Sequence, residues 1–249
     1  MTRINDIYTY LCELAPLETA MDFDNCGLLA GSADVSLSRA LITLDITCEV
    51  IEAAEKLGAE LIISHHPVIF NPLKRLETDS APYMLANRNI SAICMHTNLD
   101  RAQVCGVNIC LANAVGLCGI ELDSENCIAY GRVEPCSCKE FAERVKSSLG
   151  CLGVRYTDAD REIRRAAVSS GAGGSGIFLA NGRVDAFVTG EIKHHELLFA
   201  AQNNICVVDA GHRKTEEVVL APLKNILSKR FPEVEFTVYR GTNDNIRYL

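Results

Sequence analysis

The chain has 249 residues, a formal net charge of −8 and 48% hydrophobic residues. This size and composition can bury one large core or two smaller ones. The acidic balance argues against nucleic acid as a partner, because neutralising a phosphate backbone requires clustered Lys and Arg. No apolar run reaches the roughly 18 residues of a membrane span, and the amino-terminal stretch is amphipathic, so we expect neither membrane insertion nor export.

The twelve cysteines are scattered through apolar segments. They contain no C-x-x-C pair, and Cys136 and Cys138 form a lone C-x-C. The spacing favours reduced, mostly buried thiols in a cytoplasmic protein over a disulfide framework. A cysteine zinc site at the C-x-C pair is the alternative.

Short runs rich in Val, Ile, Leu and Ala alternate with helical patterns along the chain. The runs predict strands at residues 40–46, 60–63, 90–95, 166–169, 186–189 and 205–209. Apolar periodicity predicts helices at residues 49–57, 107–115, 195–202 and 216–227. This alternation indicates an α/β protein with mainly parallel sheets covered by helices.

The strand-then-helix pattern occurs twice, at residues 40–118 and 166–230. The segment between them predicts an edge strand and a helix at residues 138–149. We therefore predict two similar, closely packed α/β lobes. The first, residues 1–125, contains the SHHP and HTNLD motifs; the second, residues 126–249, contains TGEIKHHE and GHRKTE.

All six histidines come within a few residues of the end of a predicted strand. They are His65, His66, His96, His194, His195 and His212. Ligands of open parallel sheets bind beyond the carboxyl ends of the strands, so we interpret the six as one shared site. A lone histidine is more often a core or surface residue, but six on one sheet edge fit a metal site better.

Two carboxylates accompany these histidines. The HTNLD motif places Asp100 four residues after His96, and GHRKTE places Glu216 four residues after His212. A helix beginning at His212 would put its side chain and that of Glu216 on one face, as two ligands of one centre require. The alternative for this pair is an ordinary contact on a helix surface.

The adjacent histidines suggest how many ions are bound. Pro67 disfavours helical geometry at His66, so we expect an extended pair whose imidazoles diverge. Diverging rings suit two ions, and Asp100 and Glu216 can bridge them in a two-metal centre. Nitrogen and oxygen ligands without thiolate admit zinc, manganese, iron, cobalt or nickel.

Weaker signals lie near these motifs. Asp45 is a candidate to hold the N–H of a ligand histidine, and Asp24 and Asn25 are candidates for a turn cap or for supporting a ligand. Residues 171–176, GAGGSG, match G-x-G-x-x-G but lack a suitably placed ribose-binding acid. We interpret them as a flexible turn at the site rather than a dinucleotide loop.

Six segments occur in this order along the chain: FDNCGLLAG (23–31), LDIT (44–47), SHHPVIF (64–70), HTNLD (96–100), TGEIKHHE (189–196) and DAGHRKTE (209–216). They resemble, in order, the motifs of the Nif-three-like dinuclear metal-centre hexameric protein family, whose members are often called GTP cyclohydrolase 1 type 2 homologues. The resemblance spans nearly the whole chain. The chain departs from the family pattern at Phe23, where Trp is usual. It also lacks the domain that some members insert between the lobes.

The resemblance implies two interlinked lobes with a metal site in the cleft between them, two divalent ions per subunit and a toroidal homohexamer. The family's metal ligands match His65, His66, Asp100, His212 and Glu216. His96 is expected close to the metals, and His194 and His195 are expected to transfer protons or contact substrate.

The implied function is a metal-dependent hydrolase acting on a nucleotide or phosphoester, similar to GTP cyclohydrolase type 2. The alternative is a non-catalytic scaffold for metal storage, metal delivery or regulation, since the same residues would bind metal in either case. No other cofactor is expected.

Overall fold

The structure is a computed structural model that describes residues 1–241. The chain forms two compact units. Among the described residues, the first unit contains Met1–Leu99 and residues 220–241, and the second contains Asp100–Val219. Within this range, the chain passes into the second unit at Asp100 and back into the first at Leu220, so it passes between the units twice.

The α-helices are α1 (Ile4–Leu14), α2 (Cys48–Leu57), α3 (Ala81–Asn87), α4 (Thr97–Asp100), α5 (Val107–Ala114), α6 (Cys138–Leu149), α7 (Ile177–Ala180), α8 (His194–Gln202), α9 (His212–Glu216) and α10 (Leu220–Arg230). The strands are β1 (Gly27–Ala30), β2 (Arg39–Thr43), β3 (Leu61–Ser64), β4 (Ser91–Cys94), β5 (Cys118–Asp123), β6 (Ile128–Cys136), β7 (Arg155–Tyr156), β8 (Ile163–Ser169), β9 (Ala186–Thr189), β10 (Cys206–Asp209) and β11 (Glu235–Val238). All the predicted strands and helices are present, with ends shifted by a few residues; the pattern predicted at 216–227 is divided between α9 and α10.

The sheet of the first unit has the order β1-β4-β3-β2-β11. Three of its four strand pairings are parallel, and the pairing of β1 with β4 is antiparallel. Strands β3 and β4 are buried at every position, as their continuous apolar sequences predict. The carboxyl ends of β2, β3 and β4 therefore lie at one edge of this sheet.

The sheet of the second unit has the order β5-β6-β8-β9-β10-β7. Only its centre is parallel, where β8, β9 and β10 run in the same direction. Strands β5, β6 and β7 add antiparallel pairings at the two sides. The α/β class with two sheets is confirmed; the first sheet is mainly parallel, whereas the second is mixed because β6 pairs with both β5 and β8 in antiparallel register.

Local signals explain where the helices begin and end. Thr47 caps α2 by accepting a hydrogen bond from the backbone N–H of Val50, at 3.3 Å, and Gly58 ends this helix in a left-handed conformation. Ser137 and Glu140 form a capping box at the start of α6. The α2 helix packs against β2, which it follows, and α6 packs against β10.

Each unit has its own apolar core. In the first, the side chains of Leu41, Ile51, Ile62 and Leu85 are buried together between the sheet and its helices. In the second, two clusters cover opposite faces of the sheet, and one of them is centred on Phe141 while the other contains Phe187. Burial on both faces is what fixes the positions of the strand ends.

The compact units divide the chain differently from the sequence-based division after residue 125. That division falls between β5 and β6, which pair with each other in the second sheet. The first sheet, in turn, is completed by β11, whose partner is β2. Strand pairing between distant parts of the chain leaves no local signal in the sequence. The boundaries of the two compact units could therefore not be predicted from composition.

Within residues 1–241, no helix is both long and apolar enough to cross a membrane. All twelve cysteines are free thiols, and most are buried. This agrees with the expectation of reduced core thiols.

Candidate metal centre

Three histidines meet at one edge of the first sheet. His65 and His66 directly follow β3, and His96 follows β4, whose parallel pairing brings the two strand ends together. The ring centroids of His65 and His66 are 5.0 Å apart, and that of His96 lies 5.1 Å and 5.4 Å from them. Each imidazole offers a nitrogen within 4.8 Å of the others, so the three could bind one ion.

The two adjacent rings do not diverge as the extended-chain prediction required, and that prediction is wrong. The backbone N–H of His65 donates to the carbonyl oxygen of Thr43 at 3.2 Å, and that of His66 donates to Leu44 at 2.8 Å. In a regular strand, consecutive N–H groups point to opposite sides. Since both point to the same neighbouring strand, the backbone leaves β geometry here and places both rings on one side.

The Nδ1 atoms of these two rings are held by oxygen atoms. Nδ1 of His65 lies 3.0 Å from the backbone carbonyl of Met95, and Nδ1 of His66 lies 2.8 Å from a carboxylate oxygen of Asp45. A carbonyl or carboxylate accepts, so each Nδ1 is the donor and Nε2 is the nitrogen that could bind an ion. The expected role of Asp45 toward a ligand histidine is confirmed by this contact.

Asp24 supports His96 in the same way. One of its carboxylate oxygens lies 2.8 Å from Nδ1 of His96, and the other accepts from the backbone N–H of Thr97 at 3.0 Å and from its hydroxyl. Burial would raise the pKa of Asp24, but these hydrogen bonds from His96 and Thr97 outweigh it and hold the pKa well below its usual value. The Asp24 carboxylate is therefore ionised at neutral pH and holds the His96 ring in place.

The second unit carries His212 and Glu216, the other histidine and carboxylate that the sequence predicts as ligands. His212 begins α9 immediately after β10, and Glu216 ends the same helix. The predicted helix start and the i,i+4 relationship are thus confirmed, with Nε2 of His212 3.1 Å from a carboxylate oxygen of Glu216. Nδ1 of His212 lies 2.8 Å from a carboxylate oxygen of Glu191, in the segment after β9.

Two glycines make room for this helix. Gly171 has a φ of +56°, and a Cβ there would lie 2.2 Å from Oε1 of Glu216 and 3.2 Å from Nε2 of His212. A Cβ on Gly190 would lie 2.6 Å from both Cα of His212 and Oγ1 of Thr215. The backbone thus packs directly against the two ligand side chains and leaves no space for any other residue.

Asp100 lies at the first residue of the second unit and closes α4. Its backbone carbonyl accepts from the side-chain amide of Asn108 at 3.2 Å, and a carboxylate oxygen lies 3.5 Å from the hydroxyl of Ser170. Asn108 also accepts from the backbone N–H of Ser170 at 2.8 Å. The end of β8 therefore positions Asp100 within its unit.

His194 and His195 form the exposed first turn of α8. The His195 ring stacks on Phe178, with centroids 6.2 Å apart, and its Nε2 lies 4.0 Å from a carboxylate oxygen of the buried Glu196. Glu196 also accepts from the backbone N–H of Lys193 at 2.6 Å, which caps the helix. In contrast to the other four histidines, neither ring has its Nδ1 held by an oxygen atom that the structure records.

The glycine-rich segment 171–176 does not form an open phosphate loop. Its residues Gly173–Gly176 form a short 3-10 helix. A Cβ on Gly174 would lie 2.4 Å from the carbonyl oxygen of Glu191, and one on Gly176 would lie 3.1 Å from the ring of Phe187. These glycines allow close backbone packing, and through Glu191 they support the segment that holds His212.

Sequence reasoning missed Glu191 and the carbonyl of Met95 as partners of ligand histidines. Glu191 lies within the TGEIKHHE motif, two residues after β9, so the rule that selected the histidines applied to it equally. The Met95 contact involves only a backbone atom, for which the sequence carries no residue-type signal.

The comparison with known proteins gives one family. The family described as Duf34/NIF3 (NGG1p interacting factor 3) matches residues 2–245. The chain is 31% identical to a GTP cyclohydrolase 1 type 2 homolog of Clostridium acetobutylicum, over 86% of this chain and 85% of that protein. It is also 31% identical to the GTP cyclohydrolase 1 type 2 of Helicobacter pylori strain J99, over 87% and 88%.

A solved structure has the same fold. A hypothetical protein of Staphylococcus aureus superimposes with a TM-score of 0.92 at 28% identity, covering 99% of both chains. The family match over almost the full length and this structural similarity support the same family assignment. The chain belongs to the Duf34/NIF3 family.

Proposed function

We propose that the protein binds two divalent metal ions per subunit through His65, His66, Asp100, His212 and Glu216, with His96 beside them. The proposal rests on how four imidazoles are hydrogen-bonded, those of His65, His66, His96 and His212. In each, Nδ1 donates to an oxygen atom, which fixes the tautomer that presents Nε2. This arrangement around histidine is typical of metal ligands in proteins.

The chemistry of His212 and Glu216 supports a cation at this position. When the His212 ring is neutral and Nδ1 donates to Glu191, Nε2 carries a lone pair and faces a carboxylate oxygen 3.1 Å away. Two lone pairs so close repel each other unless a proton or a metal ion lies between them. Two ligands bound to one ion at about 2.1 Å are themselves about 3 Å apart, which agrees with the observed spacing.

We propose further that the centre is hydrolytic. Two divalent ions, when bound, would act as Lewis acids that activate water and polarise the electrophile. The chain's own contribution is to orient the ligands through Asp45 and Glu191, and to exchange protons through His194 or His195, which are exposed and close the amino end of α8. The substrate class proposed is a nucleotide or other phosphoester, as the names of the relatives suggest.

We also propose that the subunits form a homohexamer, as the family resemblance implies. Each unit exposes large apolar side chains, among them Phe23 and Leu76 in the first and Leu179 and Leu198 in the second. Such residues are available for subunit contacts. Light scattering on the purified protein should give six times the subunit mass, and a monomer mass at all concentrations would contradict this assembly.

The metal proposal is tested by elemental analysis of protein purified without chelator. We expect about two ions per subunit in the wild type, and fewer in His66→Ala and in the double variant His212→Ala/Glu216→Ala. The same preparations, reconstituted with each candidate metal, should be screened against nucleotides and phosphoesters. Metal content near zero that is not recovered on adding metal would refute the site, whereas full occupancy without turnover would point to a non-catalytic scaffold.

A further inference from the structure

A second candidate site lies in the second unit, away from the metal-ligand residues. It is a surface pocket of about 430 Å³, lined by β5, β6, β8 and two residues that precede β9, Arg183 and Val184. Three arginines contribute to it, Arg132, Arg165 and Arg183, together with Tyr130 and one carboxylate, Glu121. Its lining is therefore positively charged in a chain whose net charge is −8.

Two of these arginines face each other across the sheet. Arg132 in β6 and Arg165 in β8 are direct partners in the antiparallel register, and both are exposed. Like charges in directly opposite positions destabilise a sheet. An anion held between the two guanidinium groups would remove this repulsion.

Neighbouring carboxylates do not fully neutralise the pair. A carboxylate oxygen of Asp185 lies 3.7 Å from Arg165, but the same oxygen binds Arg161 more closely, at 2.9 Å. Within residues 1–241, no ion pair is found for Arg132 or Arg183. The pocket thus has guanidinium donors whose charge is available to a ligand.

A buried hydroxyl gives independent support. Tyr130 is only 8% exposed and lines the pocket, yet its hydroxyl has no hydrogen-bond partner in the described part of the chain. The guanidinium carbon of Arg183 lies 3.8 Å from the centre of its ring. Burial raises the pKa of Tyr130, so the hydroxyl stays protonated at neutral pH and is a donor. A buried donor without an acceptor is costly, and a ligand oxygen would satisfy it.

We propose that this pocket binds the phosphate group of a phosphorylated small molecule, through Arg132, Arg165, Arg183 and the hydroxyl of Tyr130. Planar guanidinium groups match the oxygen atoms of a phosphate in fork geometry, and a neutral phenol adds a further donor. The volume lies in the range of small-molecule pockets, so the phosphate is part of a larger molecule. The site is separate from the proposed metal centre and does not depend on it.

The test is calorimetric titration of the wild-type protein with inorganic phosphate, ribose 5-phosphate and ribose. We expect both phosphate-bearing probes to bind, ribose 5-phosphate more tightly, and ribose not to bind. Arg132→Gln and Arg183→Gln should each weaken binding by about tenfold or more. Arg164→Gln is the matched control, because Arg164 is the exposed neighbour of Arg165 on the other face of β8 and pairs with Glu162.

A second readout separates binding from folding. Without ligand, Arg132→Gln should melt at the same temperature as the wild type or higher, because it removes the cross-strand repulsion. Tyr130→Phe should fold equally well, since it deletes only an unpartnered hydroxyl, but should bind ribose 5-phosphate severalfold more weakly. In both variants, the rise in melting temperature caused by ribose 5-phosphate should be smaller than in the wild type.

Several results would overturn the proposal. Absence of binding to the wild type at millimolar probe would do so, as would an equal loss in Arg164→Gln, which would reveal general electrostatic attraction. Loss of binding in His212→Ala with retention in Arg132→Gln would assign the phosphate to the metal centre. A changed subunit mass in Arg132→Gln would instead assign the arginine pair to a subunit contact.

Discussion

The imidazole of His212 lies between two carboxylates, with Nδ1 2.8 Å from Glu191 and Nε2 3.1 Å from Glu216. The two contacts have different origins. Glu216 is one helical turn away on α9, whereas Glu191 comes from the segment after β9 and reaches His212 because β9 and β10 are parallel neighbours. We assign Glu216 to metal ligation and Glu191 to orienting the ring.

Removing the orienting carboxylate should weaken metal binding without unfolding the protein. Glu191→Ala leaves His212 able to rotate and to change tautomer, which typically reduces metal affinity by about 10- to 100-fold. Competition with a chromogenic chelator measures this affinity. Glu217→Ala is the matched control, because Glu217 binds Arg213 and Lys214 instead, and equal losses in the two variants would contradict the assignment.

Substitution of one glycine should displace the Glu216 carboxylate. In Gly171→Ala, the new methyl group would lie 2.2 Å from Oε1 of Glu216, so the carboxylate must move. Gly182→Ala is the control, since Gly182 also has a positive φ, of +76°, but no atom lies within 4 Å of its Cβ position. Both variants should lose about 1 to 2 kcal/mol of stability from backbone strain.

Only Gly171→Ala should also lose bound metal, which elemental analysis after dialysis would detect. Retention of the full metal content in Gly171→Ala would show that Glu216 is not a ligand. Comparable thermal melts of the two variants would confirm that the difference in metal content does not come from unfolding.

The exposed histidines of α8 should affect turnover rather than metal content. We expect His194→Ala/His195→Ala to keep the metal content of the wild type, because neither ring lies in the three-histidine cluster or on α9. Hydrolysis of any substrate found in the screen should fall by at least about 100-fold if they transfer protons. Unchanged turnover would remove them from the mechanism, and lost metal would make them ligands.

Removing the metal should destabilise the protein reversibly. The buried His65 and Glu216 are among the proposed ligands, and an ion that binds only the folded state adds RT ln(1 + [L]/Kd), about 2.7 kcal/mol at 100 times Kd. Treatment with chelator should therefore lower the melting temperature, and adding back zinc or manganese should restore it. A melting temperature that neither chelator nor added metal changes would argue against metal binding.

The sequence predicted the positions of the histidines well, for a physical reason. Apolar runs of four to six residues can only be buried strands here, and polar residues directly after them must emerge at the sheet edge. His65, His96 and His212 were located in this way, and Asp45 was a candidate partner for a histidine N–H, although which histidine it contacts was not predicted. Each follows from chain order and burial alone.

The remainder depended on information that the sequence does not contain. The rings of His65 and His66 lie on one side because their successive N–H groups bind Thr43 at the end of β2 and Leu44 directly after it, a backbone detail that Pro67 does not determine. The antiparallel pairing of β6 with β5 and β8 arises from contacts between segments that each look like an ordinary strand. The cross-strand arginine pair became visible only when that register was known.

The double passage of the chain between the two units sets an order for biosynthesis. All of Asp100–Val219 leaves the ribosome as one continuous segment, so the second unit can fold as soon as that segment is released. The first unit must wait, because α10 and β11 are made after that segment and β11 pairs with β2, which precedes it. The His212–Glu216 pair is therefore assembled before the sheet that carries His65 and His66 is complete.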